Sequence, residues 1–114
     1  METSALRFDD ATRAVLRRRL LDRGRALATL LADVLAGKQD DRALRAVGLF
    51  AKPGLRPDEV LRAALDQVDG LRRLIDAGDD RYGRCGVCAD DLGLVAITEV
   101  PWADACHAHA RGIG

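Results

Sequence analysis

Aromatic residues are scarce in this chain: one tryptophan, one tyrosine and two phenylalanines among 114 residues. Base stacking, the sequence-tolerant way to hold single-stranded nucleic acid, has few platforms here. Net charge is also missing, because 18 basic side chains balance 18 acidic ones. No global field draws the chain to phosphate backbones or to anionic membranes. Long apolar runs are absent. The most apolar stretch, Ala26 to Ala36, is broken by Thr29 and Asp33 and is too short to span a bilayer. The opening residues METSALRFDD lack the apolar core of a secretory signal. There is no Gly-rich phosphate loop, no internal repeat and no low-complexity tract. No serine or cysteine stands with histidine and a carboxylate in a recognisable catalytic pattern. A reducing, cytoplasmic setting is expected. There, three cysteines, an odd number, favour metal over disulfide.

What is present is mostly helix-forming. A chain of this length makes one small domain with a modest core, so an additional staple is expected. Asp9 or Asp10 can cap a first helix, because a short acceptor there satisfies free N–H groups. From Ala11 to about Ala36 the chain is rich in Ala, Leu and Arg. Leu16, Leu20, Leu27, Leu31 and Val34 recur at spacings of three, four or seven and mark one apolar stripe. Gly24 interrupts it, either at a tolerated cost or because a second helix approaches closely. Gly37 suits the left-handed residue that ends a helix.

Residues 40–50 can form a short helix, and Pro53, Gly54 and Pro57 then break the chain. Pro57 fits a first helical position, followed by Asp58 and Glu59 at the positive helix end. A second long helix is predicted over Pro57 to Ala77. Its stripe is Leu61, Ala64 or Leu65, Val68, Leu71 and Ile75, close to a heptad seam. Two helices of similar length predict an antiparallel hairpin in which facing residue numbers sum to about 91. That register sets Leu30 near Leu61, Leu27 near Ala64, Leu20 near Leu71 and Leu16 near Ile75. It also brings Arg23 and Arg25 toward Asp66 and Asp69. Charge is segregated to match, with seven arginines between Arg7 and Arg25 and nine acids between Asp58 and Asp91. Complementary helix faces explain this; an acidic partner for the arginine segment is the alternative.

The chemistry is concentrated in the last third. Cys85 and Cys88 form a C-x2-C pair; 17 residues later Cys106 and His109 form C-x2-H. Paired ligands three apart reach one ion from a turn or a short helix face, and this separation matches zinc sites. Three thiolates and one imidazole make a closed tetrahedral set, which leaves no position for water or substrate. The metal is therefore expected to be structural zinc. His107 is the other candidate for the fourth ligand, with His109 favoured by its spacing. A Cys85–Cys88 redox pair is a further reading, but it lacks the flanking strand–helix pattern of such sites. Leu94 to Val100 is rich in β-branched residues and predicts a strand of a small hairpin. Pro101 can open a short helix that presents Cys106 and His109.

The order of these parts resembles the DksA/TraR family of zinc-finger regulators that bind bacterial RNA polymerase. The resemblance rests on a long hairpin, then a lead through Gly78 and Tyr82-Gly83 into Cys85-x2-Cys88. A proline, Pro101, then precedes the last ligand pair. The finger pattern covers about 30 residues and is specific; the hairpin match is generic. The family's usual four cysteines are here three plus His109, and Ala89 stands where a glycine commonly follows the first pair. Family members insert the hairpin into the polymerase secondary channel and act through an acidic tip. The resemblance implies Asp40, Asp41 and Ala43 as the tip, although Lys38 occupies a position where an aspartate is usual. Capping of a short helix also explains Asp40 and Asp41.

The expected fold is mainly α. A coiled-coil-like hairpin covers residues 1–79, with its tip or connector at about 37–56. A zinc-finger module at 80–114, with a short β-hairpin and a short helix, completes one small monomeric protein. The expected function is regulation of transcription through RNA polymerase, without direct sequence-specific DNA binding, membrane contact or catalysis. A zinc-stabilised adaptor that binds another protein through its helical face is the rival.

Overall fold

The computed structural model describes residues 8–38, 41–49 and 53–106, and for residues 41–43 the backbone only. The first helix, α1, runs Asp10–Leu35. Asp9 caps it, its Oδ1 accepting the Thr12 N–H at 2.7 Å. Leu16, Leu20 and Leu27 are fully buried along one face, as the stripe predicts. At the other end Gly37 takes φ +88°. Its N–H donates to the Val34 carbonyl, and Lys38 N–H donates to Asp33, which satisfies carbonyls the helix leaves free.

The connector contains a short helix, α2 (Asp41–Ala46), inside the 40–50 segment. Leu44 on it is fully buried, and Val47 and Leu49 pack against the same core. The connector is therefore folded back onto the hairpin.

The second long helix, α3, runs Pro57–Asp76 with Pro57 at its start. The Glu59 carboxylate accepts the Arg56 N–H at 2.8 Å, which fixes the entry of the chain. Val60, Leu61, Ala64, Val68, Leu71 and Ile75 are buried. Gly78 ends α3 as Gly37 ends α1, with its N–H on Ile75 and that of Asp79 on Leu74. Burial of each large aliphatic side chain along this seam contributes about 1.5–3 kcal/mol.

The two helices are antiparallel. Arg13 Nη2 donates to the Ile75 carbonyl at 2.7 Å, Arg17 pairs with Asp76 at 2.6 Å, and Gly24 faces Val68. These contacts bracket the expected register. The charge pairing within it differs. Arg25 pairs with Asp22 on its own helix, Asp69 pairs with Arg72 and Arg73, and Arg23 turns to Trp102. Among the described residues the ion pair between the two helices is Arg17–Asp76 instead. The long guanidinium stems reach local partners at i+3 and i+4 more cheaply than they span the seam.

The predicted strand at 94–100 is a helix, α4 (Leu94–Glu99). A lone strand leaves its backbone groups unpaired. One and a half helical turns pair Ile97 N–H with Gly93 and Val100 N–H with Ala96. Among the described residues there is no β-hairpin, only an isolated bridge between Arg84 and Asp91. The short helix thus precedes Pro101, and the described residues 101–106 after it are not helical. Among the described residues no helix is long and apolar enough to cross a membrane.

Candidate metal centre

The loop after α3 begins with a turn closed by Asp79. Its carboxylate accepts both the backbone N–H and the guanidinium of Arg81, which holds the Asp79 pKa down at about 2. The chain then winds so that Cys85 N–H donates to the Asp90 carbonyl at 2.8 Å and Ala89 N–H to the Cys85 carbonyl at 2.9 Å. Gly86 N–H reaches across to the Asp104 carbonyl at 2.8 Å, which ties the C-x2-C loop to the segment carrying Cys106. Ala89 closes the loop with φ +64°, in the left-handed region that favours glycine.

This backbone brings three sulfurs together. The Sγ atoms of Cys85, Cys88 and Cys106 all lie within 4.8 Å of one another. Cys88 Sγ and Cys106 Sγ are 3.7 Å apart, too far for a disulfide bond and close enough to share one ion. Cys85 is buried, Cys106 half-buried and Cys88 exposed.

The electrostatics divide the thiols. Backbone N–H groups of Cys106 and Cys88, with that of Val87 at 3.4 Å, converge on Cys85 Sγ and lower its pKa to about 6. An N–H at Asp90 pulls Cys88 the same way. Burial and the neighbouring Cys106 and Cys85 thiols outweigh it and push Cys88 up to about 11. Three sulfurs this close do not all ionise unaided, whereas a cation between them removes the repulsion. The donor set and spacing thus fit a metal ion.

The cluster is anchored to the hairpin by side chains. Buried Tyr82 donates its hydroxyl to the Pro101 carbonyl at 2.7 Å and meets Phe8 edge-on, ring centroids 5.9 Å apart. Ile97 and Pro101 are fully buried. Arg19 donates to the Thr98 carbonyl, and Gln67 to the Trp102 carbonyl at 2.9 Å. The Arg23 guanidinium lies 4.2 Å from the Trp102 ring centre. The cysteine module therefore lies alongside the hairpin, touching both long helices.

Of the residues expected from sequence to carry function, the three cysteines are brought together. His109, its competitor His107 and Asp40 lie outside the described residues. The backbones of Asp41 and Ala43 belong to α2. The docking roles of Tyr82, Trp102 and Arg23 were not legible beforehand. The available signal was a lone tryptophan next to proline inside the gap between the two ligand pairs. Comparison of the chain with protein-family models, with curated proteins and with solved structures gives no match in any of the three.

Proposed function

We propose that this protein is a non-catalytic transcription regulator that binds RNA polymerase as the DksA/TraR family does, with a structural zinc ion. The observation that carries the reading is the three-thiol cluster immediately after an antiparallel hairpin and packed against its flank. Zinc–thiolate bonds of about 2.3 Å in a tetrahedron separate sulfurs by about 3.8 Å. The Cys88–Cys106 distance of 3.7 Å agrees with that spacing. Cys85, Cys88 and Cys106 would hold the ion, with His109 as the fourth ligand, and the bound ion would cross-link two chain segments. With four protein ligands it offers no reactive position, so function falls to the surfaces that the cross-link holds in place.

In this reading the module and hairpin flank supply affinity, and the connector carboxylates Asp40 and Asp41 supply the effect. Carboxylates near the polymerase active site compete for basic side chains or perturb bound metal, as neutral groups of similar size do not. The test is a pull-down with core polymerase, followed by promoter-complex lifetime. The Asp40→Asn, Asp41→Asn double variant is expected to bind like the parent and to leave lifetime unchanged. Full activity in that variant overturns the tip assignment; no binding by the parent overturns the regulator reading. Metal analysis tests the ligand set, with His109→Ala expected to lower zinc occupancy more than His107→Ala.

One observation favours the adaptor reading. Val87, Leu94 and Val95 on the cysteine module are 71%, 54% and 74% exposed. Exposed aliphatic side chains on a metal-braced module suit a protein partner. Failure to bind polymerase makes this the surviving proposal, with hairpin and metal site unchanged.

A further inference from the structure

A cavity of about 530 Å³ lies where the folded-back connector meets the cysteine module. Its size is that of a small-molecule site, about 300–1,000 Å³. All parts of the fold contribute to it: Arg23 from α1, Val47 and Leu49 after α2, Gln67 from α3, and Trp102 and Asp104 after α4. The valine, leucine and indole walls suit a flat apolar body.

Arg23 is the feature that gives this cavity a chemical preference. Its guanidinium stacks on Trp102, so one face is covered while its edge stays able to donate. Its Nε is buried and has no hydrogen-bond partner among the described residues. Burial lowers its pKa, and among the described residues no carboxylate is paired with it to offset that. Nε itself is covered, so a carboxylate in the cavity pairs with the terminal Nη groups of this guanidinium. Asp104 also lines the cavity and opposes negative charge there, so the ligand is limited to the single carboxylate that Arg23 neutralises.

We infer that this cavity binds a small monoanionic ligand with a flat apolar body, its carboxylate on Arg23 and its body against Trp102, Val47 and Leu49. The inference rests on neither the polymerase reading nor the identity of the metal.

The probes are 2-naphthoate and its neutral counterpart 2-naphthalenemethanol, titrated into the full-length, metal-loaded protein. Calorimetry gives affinity, and the indole N–H resonance of Trp102, the one tryptophan in the chain, reports location. Saturable binding of naphthoate with a shift of that resonance is expected. The alcohol should bind at least tenfold more weakly. Arg23→Gln should weaken naphthoate at least tenfold and remove its preference over the alcohol. Ala46→Phe, which fills the cavity from an exposed position on its rim, should abolish binding with Arg23 intact. Circular dichroism shows that each variant is folded. Absence of saturable binding, equal binding of both probes, or unchanged affinity in folded Ala46→Phe overturns the proposal.

Discussion

The hairpin and the cysteine module are held together by different means. Between α1 and α3, side chains that repeat every three or four residues meet in a continuous apolar seam: Leu16, Leu20 and Leu27 against Leu61, Ala64, Val68, Leu71 and Ile75. Between Asp79 and Cys106 the fully buried apolar anchors are Tyr82, Ile97 and Pro101, with Leu92, Trp102 and Ala103 partly buried beside them. The remainder is turns, backbone bonds across the loop and N–H groups aimed at a sulfur. A seam is redundant, since each leucine supplies a part. A cluster of three thiols is not, since among the described residues it has only these three sulfurs. The hairpin should therefore lose stability in increments and the module all at once.

Metal removal gives the largest expected effect and separates the two regions directly. Binding of a structural zinc ion supplies on the order of 10 kcal/mol to small modules of this kind. A strong chelator should abolish the near-ultraviolet circular dichroism of Tyr82 and Trp102 while most of the helical signal at 222 nm survives. Simultaneous loss of both signals breaks the comparison and makes hairpin and module one cooperative unit. Cys85→Ser should reproduce the chelator result, because Cys85 is the sulfur on which the backbone donors converge.

The hairpin answers with a smaller, graded loss. Leu27 is fully buried, and its replacement by alanine should cost about 2–5 kcal/mol in urea unfolding with metal occupancy unchanged. A cost below about 1 kcal/mol would mean that the seam collapses onto the gap.

The same difference decided what was legible in advance. Leu16 to Val34 and Leu61 to Ile75 announce their faces by period, and glycines and Pro57 announce the ends, so both long helices and their register were readable. So was the meeting of Cys85, Cys88 and Cys106, because ligand spacing is itself a sequence pattern. The join was not. Two helices alone bring Arg23 toward an acid on α3, but a third element, Trp102, lies over it. The β-branched residues of Leu94 to Val100 point to a strand. With no partner strand among the described residues, the backbone pairs within itself and buries Ile97 alone. Periodicity reports an element that has a face, and the module is too short to have many.

Tyr82→Phe probes that join at intermediate magnitude. The change keeps the ring against Phe8 and removes the hydroxyl that meets the Pro101 carbonyl at 2.7 Å. A buried carbonyl left without its donor costs about 1–3 kcal/mol. The loss should appear in the near-ultraviolet transition before the 222 nm one. Equal shifts in both mean that the join couples the two regions tightly.

The smallest effects come from one exchange made in opposite directions in the two regions. Gly24 lies within α1, where glycine is less favourable than alanine by about 0.5–1 kcal/mol. A Cβ added there would lie 3.8 Å from Val68 Cγ1, an ordinary contact that needs no rearrangement. Gly24→Ala should therefore stabilise the hairpin by about that amount. Ala89 is the reverse case. Its φ of +64° closes the C-x2-C loop in a conformation whose cost for an L side chain is about 1–2 kcal/mol. Glycine removes that cost and returns part of the gain as entropy of the unfolded chain, so Ala89→Gly should stabilise the module by about 1 kcal/mol or less. Chelator competition should show tighter metal binding in Ala89→Gly and unchanged binding in Gly24→Ala. The 222 nm unfolding transition should move up in Gly24→Ala and stay in place in Ala89→Gly. If Ala89→Gly loosens the metal, the left-handed residue is not what closes the loop. If Gly24→Ala destabilises, Val68 approaches α1 more closely than an ordinary contact and the seam is set by that glycine.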